Sequence, residues 1–241
     1  MGLLDGKVVA MMGAGGGLGS VYAAAIARAG ASVALADLSL DAVTRAAQAI
    51  RDGGGRSTAL VGDATSAGDV EAFADRAEAE LGPLDIWMNV AGIYPRTLVA
   101  EMEEAEWDRV IQVNLKSVFL GTRTAVRRML PRGRGVILSV ASGTGLRGAP
   151  RGAHYAASKA AIIAFTRSMA QELSGSGIRI NCIGPGATDT AMWRVGKTEE
   201  EIQQLLSVGN INKPADFANV VVFLLSDLSW PLTGEFIARE T

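Results

Sequence analysis

Five of the seven residues from 13 to 19 are glycine (Gly13-Ala14-Gly15-Gly16-Gly17-Leu18-Gly19), and the cluster separates two runs of different character. Before it, residues 7–12 form a short apolar run that reads as a buried strand. After it, an Ala-rich stretch reads as a helix to about residue 29, with Gly30 as its stop. A strand that turns through glycine directly into a helix commits the chain to α/β packing, since such a helix buries its apolar side on a sheet. The same turn lets backbone N–H groups at the helix N-terminus approach an anion closely. Its spacing, Gly13-x3-Gly17-x-Gly19, departs from the six-residue G-x-G-x-x-G pattern. Asp37 closes the next apolar run, residues 32–37, where a carboxylate can accept hydrogen bonds from an adenosine ribose; capping of the helix that follows is the weaker alternative, because loop, strand and acid occur in the order a nucleotide site needs.

Strand and helix keep alternating beyond this point. Strands are expected at residues 57–61, 85–89, 135–140 and 178–183, with a last one at 234–237. Helices are expected at about 41–51 and 69–81, from about 103, through Asn114 to 129, around Tyr155, and at 219–225. That order predicts right-handed crossovers and a doubly wound parallel sheet, a Rossmann-like three-layer α/β/α sandwich. No linker divides the 241 residues, so one domain is expected, with a cofactor half at about 1–130 and a catalytic and substrate part at about 131–241. The least regular stretch, 190–212, is polar enough to suggest a mobile flap over a site.

Composition removes several functions. A net charge of −2 without a basic run leaves no electrostatic footprint for nucleic acid. No segment approaches the roughly 18 uninterrupted apolar residues of a membrane helix, and the opening residues are too short and polar for a signal peptide. A cytoplasmic protein is expected, and the lone Cys182 agrees with a reducing compartment. One histidine and one cysteine provide no metal-ligand set, so no metal is expected. His154 neighbours Tyr155, and adjacent helical residues diverge by about 100°. It is therefore expected at the pocket margin and not as a catalyst.

Tyr155 and Lys159 lie four apart in a helix free of Gly and Pro, which places phenol and ammonium on one face. A nearby cation favours phenolate and is expected to pull the phenol pKa down, toward general acid/base work.

Taken in order, these motifs resemble the short-chain dehydrogenase/reductase family in its one-domain form, over essentially the whole chain. Gly13, Gly17 and Gly19 match its cofactor glycine motif, Asp63 its acid near the adenine, and Asn89-Val90-Ala91-Gly92 its Asn-Asn-Ala-Gly segment. Asn114 falls at the family's catalytic asparagine, and Ser142 precedes Tyr155 by the family's usual interval. Tyr155-x3-Lys159 is the signature, and residues 185–190, with Pro185, Gly186, Thr188 and Thr190, resemble the nicotinamide-side loop. Departures are Met12, where the family has Thr or Ser, Val90 in place of a second Asn, and an ending at residues 237–241 without Asp-Gly-Gly.

The resemblance implies a catalytic set of Asn114, Ser142, Tyr155 and Lys159. Tyr155 would exchange the substrate proton, Lys159 would hold the phenolate and a nicotinamide ribose, Ser142 would bind the substrate oxygen, and Asn114 would anchor a water. Further cofactor contacts are expected from Leu18, Leu38, Ala64 and Ala91. Ile93, Tyr94, Thr144, Leu146, Gly184, Met192 and Trp193 are expected to make a mostly apolar substrate pocket. For Arg96, Arg147 and Arg194 two readings stand open, an anion site or solvated surface. Asp37 without a basic neighbour points to NAD over NADP. The favoured function is an NAD-dependent dehydrogenase acting on a secondary alcohol or its ketone, assembled as a homotetramer through the helices that begin near Asn114 and Tyr155. Alternatives are an NADP-linked 3-oxoacyl thioester reductase and a catalytically silent dinucleotide-binding regulator.

Overall fold

Strand β1 (Val8–Met12) is apolar throughout and buried throughout, the pattern of a strand covered on both faces. The computed structural model describes residues 2–209 and 211–239. In chain order β1 is followed by α1 (Gly17–Arg28), β2 (Ser32–Asp37), α2 (Leu40–Asp52), β3 (Ser57–Val61), α3 (Ala67–Leu81) and β4 (Ile86–Asn89). Then come α4 (Glu104–Ile111), α5 (Ser117–Met129), β5 (Gly135–Val140), the single turn α6 (Thr144–Arg147) and the long α7 (Ala153–Glu172). The chain closes with β6 (Ile178–Gly184), α8 (Ala191–Arg194), α9 (Glu199–Ser207), α10 (Ala218–Leu225) and β7 (Phe236–Ala238).

The seven strands form one sheet in the order β3-β2-β1-β4-β5-β6-β7, and every pairing is parallel. Chain direction across the sheet reverses between β1 and β4, so the loops after these two strands diverge and leave a crevice. Alternation within β1 sorts the two layers. Val9 and Met11 join Tyr22 and Ile26 of α1, Val43 of α2 and Val221 of α10 on one face. Val8, Ala10 and Met12 join Phe73 of α3 and Leu120 and Met129 of α5 on the other. Trp87 is wholly buried there, edge-on to Phe73 at 5.8 Å. This is the expected α/β/α sandwich.

Three expectations are revised. The helix through Asn114 is not regular: residues Gln112–Lys116 widen into a π turn between α4 and α5, with Asn114 on it. The stretch 190–212 is largely ordered into α8 and α9. A capping box starts α9, where Thr198 accepts from the Glu201 N–H and the Glu201 carboxylate accepts from the Thr198 N–H. Its run of acids lies in the first helical turn, where the helix dipole favours negative charge. The last strand begins two residues later than expected, at Phe236, and Arg239 continues its pairing by donating to the Gly184 carbonyl at 3.0 Å. The end of the unusual C-terminal sequence, residues 240 and 241, lies outside the described residues. Among the described residues no helix is long and apolar enough to cross a membrane.

Candidate active site

The loop between β1 and α1 is built by close backbone approach. Gly13 has φ +85°, and a Cβ there would sit 2.3 Å from the Ala91 nitrogen, so only glycine lets this loop touch the one after β4. A Cβ on Gly19 would meet the Gly13 carbonyl oxygen at 2.3 Å. Gly16, by contrast, faces open space and caps α1 without any side-chain hydrogen bond. The first N–H groups of α1 therefore point toward a cavity of about 310 Å³ with no side chain competing for them.

That cavity is walled by Gly13, Gly17, Leu18 and Gly19 on one side and by Asp37 and Leu38 at the end of β2. Asp63 and Ala64 after β3, Ala91 and Gly92 after β4, and Thr190 complete it. Asp37 accepts from the Gly15 N–H at 2.9 Å and from the Ser39 N–H at 3.2 Å, which fixes the carboxylate. A carboxylate offers about four acceptor directions, so two remain for a ligand. Ser39, not Asp37, caps α2, accepting from Ala42. Asp63 is oriented by the backbone N–H and hydroxyl of Thr65 at 2.7 and 2.8 Å. Among the described residues the lining contains two acids and no lysine or arginine. Asn89 does not reach the cavity: it is buried in the sheet, accepting from Trp87 Nε1 and donating to Thr122 and Ser139.

Leu18, Thr190 and Met192 also border a second cavity of about 240 Å³, which holds Ser142 and Tyr155. Tyr155 stands in the first turn of α7 and Lys159 one turn on, nearly buried. Lys159 Nζ donates to the Val140 carbonyl at 2.7 Å and lies 5.4 Å from the Tyr155 ring centre. The expected lowering of the phenol pKa by this cation is absent in this arrangement. Burial dominates and pushes Tyr155 up to about 12, opposed in part by its hydrogen bond with Ser142. Burial likewise pushes Lys159 down to about 8. Ser142 Oγ accepts from both the N–H and the hydroxyl of Thr144, at 3.2 and 2.9 Å. With both acceptor positions so occupied, its own hydrogen is the one directed at Tyr155.

Asn114 is wholly buried, and its carboxamide is spent on protein. It accepts from the Ile93 N–H at 2.8 Å and donates to the Ile93 carbonyl at 3.0 Å and to Ser158 Oγ at 3.1 Å. Its side chain thus clamps the loop after β4 to α7. A Cβ added to Gly92 would lie 3.5 Å from both Asn114 Oδ1 and Lys159 Nζ, which places this residue beside both side chains at ordinary contact distance.

Of the residues expected around a substrate, Tyr94, Thr144, Met192 and Trp193 border the second cavity together with Pro185, Gly186 and Thr188. Ile93 borders the first cavity and a shallower one beside it. Two residues are placed elsewhere. Leu146 is 59 % exposed on the outer side of α6, and Arg147 takes the position at the cavity wall. Gly184 is buried in β6, where a Cβ would meet the Phe236 ring at 2.8 Å. His154 is not at a pocket margin either. It is wholly buried, its Nδ1 accepts from the Tyr155 N–H at 2.9 Å, and Nε2 therefore carries the hydrogen toward Glu106 at 3.2 Å.

Two contributors, Ser158 and Glu106, lie outside the residues expected from sequence. Ser158 completes the Asn114 clamp and donates to the Tyr155 carbonyl at 2.7 Å; its signal was a hydroxyl three residues after Tyr155 on the same helix face. Glu106 supports His154 from α4, a pairing between residues 48 positions apart that no local pattern marks. Arg96 lies over the Tyr94 ring at 4.8 Å, and Tyr94 in turn stacks on Tyr155 with ring centres 4.0 Å apart and planes 14° from parallel.

This geometry has close parallels. The family model described as short chain dehydrogenase matches residues 7–201. The chain is 37 % identical to 2-(S)-hydroxypropyl-CoM dehydrogenase 3 of Xanthobacter autotrophicus, over 98 % of this chain and 96 % of that one. It is 35 % identical to the 3-oxoacyl-[acyl-carrier-protein] reductase FabG of Thermotoga maritima, over 98 % and 97 %. A 7α-hydroxysteroid dehydrogenase solved with NADH and 7-oxo glycochenodeoxycholic acid superposes with a TM-score of 0.91 at 34 % identity, covering 98 % of this chain and 93 % of that one. A protein of Beutenbergia cavernae solved with NADP at low occupancy superposes at 0.90 with 32 % identity, over 98 % and 95 %. Glycine turn, Tyr155-x3-Lys159 helix and whole-length likeness agree: the chain is an oxidoreductase of the short-chain dehydrogenase/reductase family.

Proposed function

We propose that this protein is an NAD-dependent dehydrogenase that interconverts a small secondary alcohol and its ketone. The observation that carries the cofactor choice is Asp37, a carboxylate fixed at the end of β2 in a cavity lined by two acids and no cation. A ribose 2′-hydroxyl can donate to it, whereas a 2′-phosphate would be repelled. In a partly desolvated crevice, like charges about 4 Å apart cost roughly 4 kcal/mol at an effective dielectric of about 20.

The residues present fit a dinucleotide: open N–H groups at the start of α1, a glycine turn that admits close approach, and acids placed for ribose and adenine. When bound, NAD supplies a hydride acceptor beside the substrate carbon. The rest falls to this chain. Tyr155 Oη takes the alcohol proton, Ser142 Oγ donates to the substrate oxygen, and Lys159 neutralises the phenolate as it forms. Asn114 and Ser158 hold the loop after β4 against α7, and so keep the cofactor wall and Tyr155 in register. The test is alcohol-dependent appearance of reduced nicotinamide absorbance with NAD across ring and short-chain secondary alcohols. Turnover supports the reading; none with any alcohol or ketone, with either cofactor, overturns it.

The likeness to an acyl-carrier-protein reductase supports a second reading, reduction of a 3-oxoacyl thioester with NADP. Asp37 opposes it. We also propose a homotetramer: Trp107 on α4 and Phe119 on α5 are 40 % and 44 % exposed in one chain, apolar surface that a four-helix contact would cover. Light scattering at micromolar concentration should report four copies, and a monomer would contradict it. A cytoplasmic location accords with the single buried, unpaired Cys182.

A further inference from the structure

Tyr94 borders two cavities at once. One is the cavity of about 240 Å³ that holds Ser142 and Tyr155. The other, of about 580 Å³, runs outward along Ile93 and Pro95 to Ala105 of α4. Among the described residues, only Tyr94 and Met192 belong to both linings.

The Tyr94 ring is held from several sides. Tyr155 stacks on it with centres 4.0 Å apart and planes 14° from parallel, and the Arg96 guanidinium lies 4.8 Å from its centre. Since the stack fills one face, the cation occupies the other. Arg96 is itself tied down, donating to the Val195 carbonyl just beyond α8 at 2.8 Å. The ring edge rests on Gly152, where a Cβ would lie 2.6 Å from Tyr94 Oη and 2.8 Å from its Cε2. Gly152 has φ −140°, a value that does not require glycine, so the ring accounts for the missing side chain. The main chain is fixed as well: the Thr97 N–H donates to the Arg151 carbonyl at 2.9 Å and joins the loop after β4 to the one before α7. Met192, unbranched and with three rotatable bonds, can yield to a ligand. Tyr94 is the rigid member of the shared wall.

We propose, on the basis of the dehydrogenase reading above, that Tyr94 is a specificity-determining residue. Its ring partitions the crevice and confines the substrate to the inner cavity. Compact secondary alcohols and ketones are admitted, and those with a bulky group beyond the reacting carbon are refused by a clash with the ring. The inner volume agrees, falling below the range of about 300–1,000 Å³ common for drug-sized ligands. Without the ring the two cavities join, and the bulky group gains an apolar bed on Ile93, Pro95 and Ala105.

The experiment takes each ring or short-chain secondary alcohol that turns over and compares it with its analogue carrying a phenyl group on the carbon farthest from the hydroxyl. In the intact protein the parent should exceed its phenyl analogue in kcat/KM by at least about tenfold. That ratio should fall toward or below one in Tyr94→Ala, fall less in Tyr94→Leu, and persist in Tyr94→Phe, which keeps the ring. Because both alcohols meet the same variant, a general loss of rate from unstacking Tyr155 cancels in the ratio. Where a variant turns over too slowly, the ratio is read as the Kd values of the two ketones, from quenching of bound NADH fluorescence. A ratio near one in the intact protein, or one that survives Tyr94→Ala and Tyr94→Leu, overturns the partition and leaves the dehydrogenase reading in place. Inactivity on every alcohol and ketone with either cofactor overturns that reading and this inference with it.

Discussion

The two ends of the crevice are built from different materials. The end at β1 and β2 is made of main chain: glycines that permit contact, helix N–H groups, and two acids held by backbone hydrogen bonds. The end at β5 and α7 is made of side chains brought from distant parts of the chain, among them Ser142, Tyr155, Arg96 and Trp193. Among the described residues the lining of the cofactor end holds two acids and no lysine or arginine, whereas Arg96 and Arg147 border the other end. A backbone-built site recognises what varies little, the phosphates and ribose of a cofactor, whereas a site of side chains can be changed residue by residue without disturbing the fold. The cofactor end should therefore tolerate few substitutions, and the substrate end should respond with graded changes in specificity.

The largest expected effect belongs to the catalytic side chains. Tyr155→Phe keeps the stack on Tyr94 but removes the exchanging proton, so turnover should fall by roughly 10²–10⁴-fold with NAD affinity retained. Steady-state rates paired with a fluorescence titration of NAD would check both halves, and near-normal turnover would dissolve the assignment.

A smaller effect concerns pH. Burial holds the Tyr155 phenol high, at about 12, and the Lys159 ammonium low, at about 8. Tyr155 can take the alcohol proton only as phenolate, the form that burial holds back near neutral pH. Oxidation kcat/KM should thus climb with pH above about pH 6, by up to about tenfold per unit, while ketone reduction, which draws its proton from the phenol, should not climb. A flat oxidation profile would show that this pair does not carry the proton.

The same contrast separates what could be read in the sequence from what could not. The alternation of strands and helices along the chain, the glycine turn, Asp37 at the end of β2 and the Tyr155–Lys159 face all rest on short-range patterns, and all appear in the structure where periodicity and spacing placed them. The misreadings share a cause, dependence on contacts remote in sequence or on one-residue differences in facing. Lys159 turns to the Val140 carbonyl of β5, the helix through Asn114 widens into a π turn, and Leu146 gives way to Arg147 on a single helical turn. The capping box at Thr198 and Glu201 was different: the pattern was present in residues 198–201 and marks α9 without any tertiary information.

The cofactor end offers the most direct test, since Asp37 is where the account commits itself. The measurement is kcat/KM for one alcohol with NAD and with NADP, in the intact protein and in Asp37→Ala. The account predicts a preference for NAD of at least about tenfold, on the order of 1.4 kcal/mol, narrowed in the variant mainly by weaker use of NAD. Equal or better turnover of the intact protein with NADP would contradict it and would raise the thioester reductase reading above the dehydrogenase.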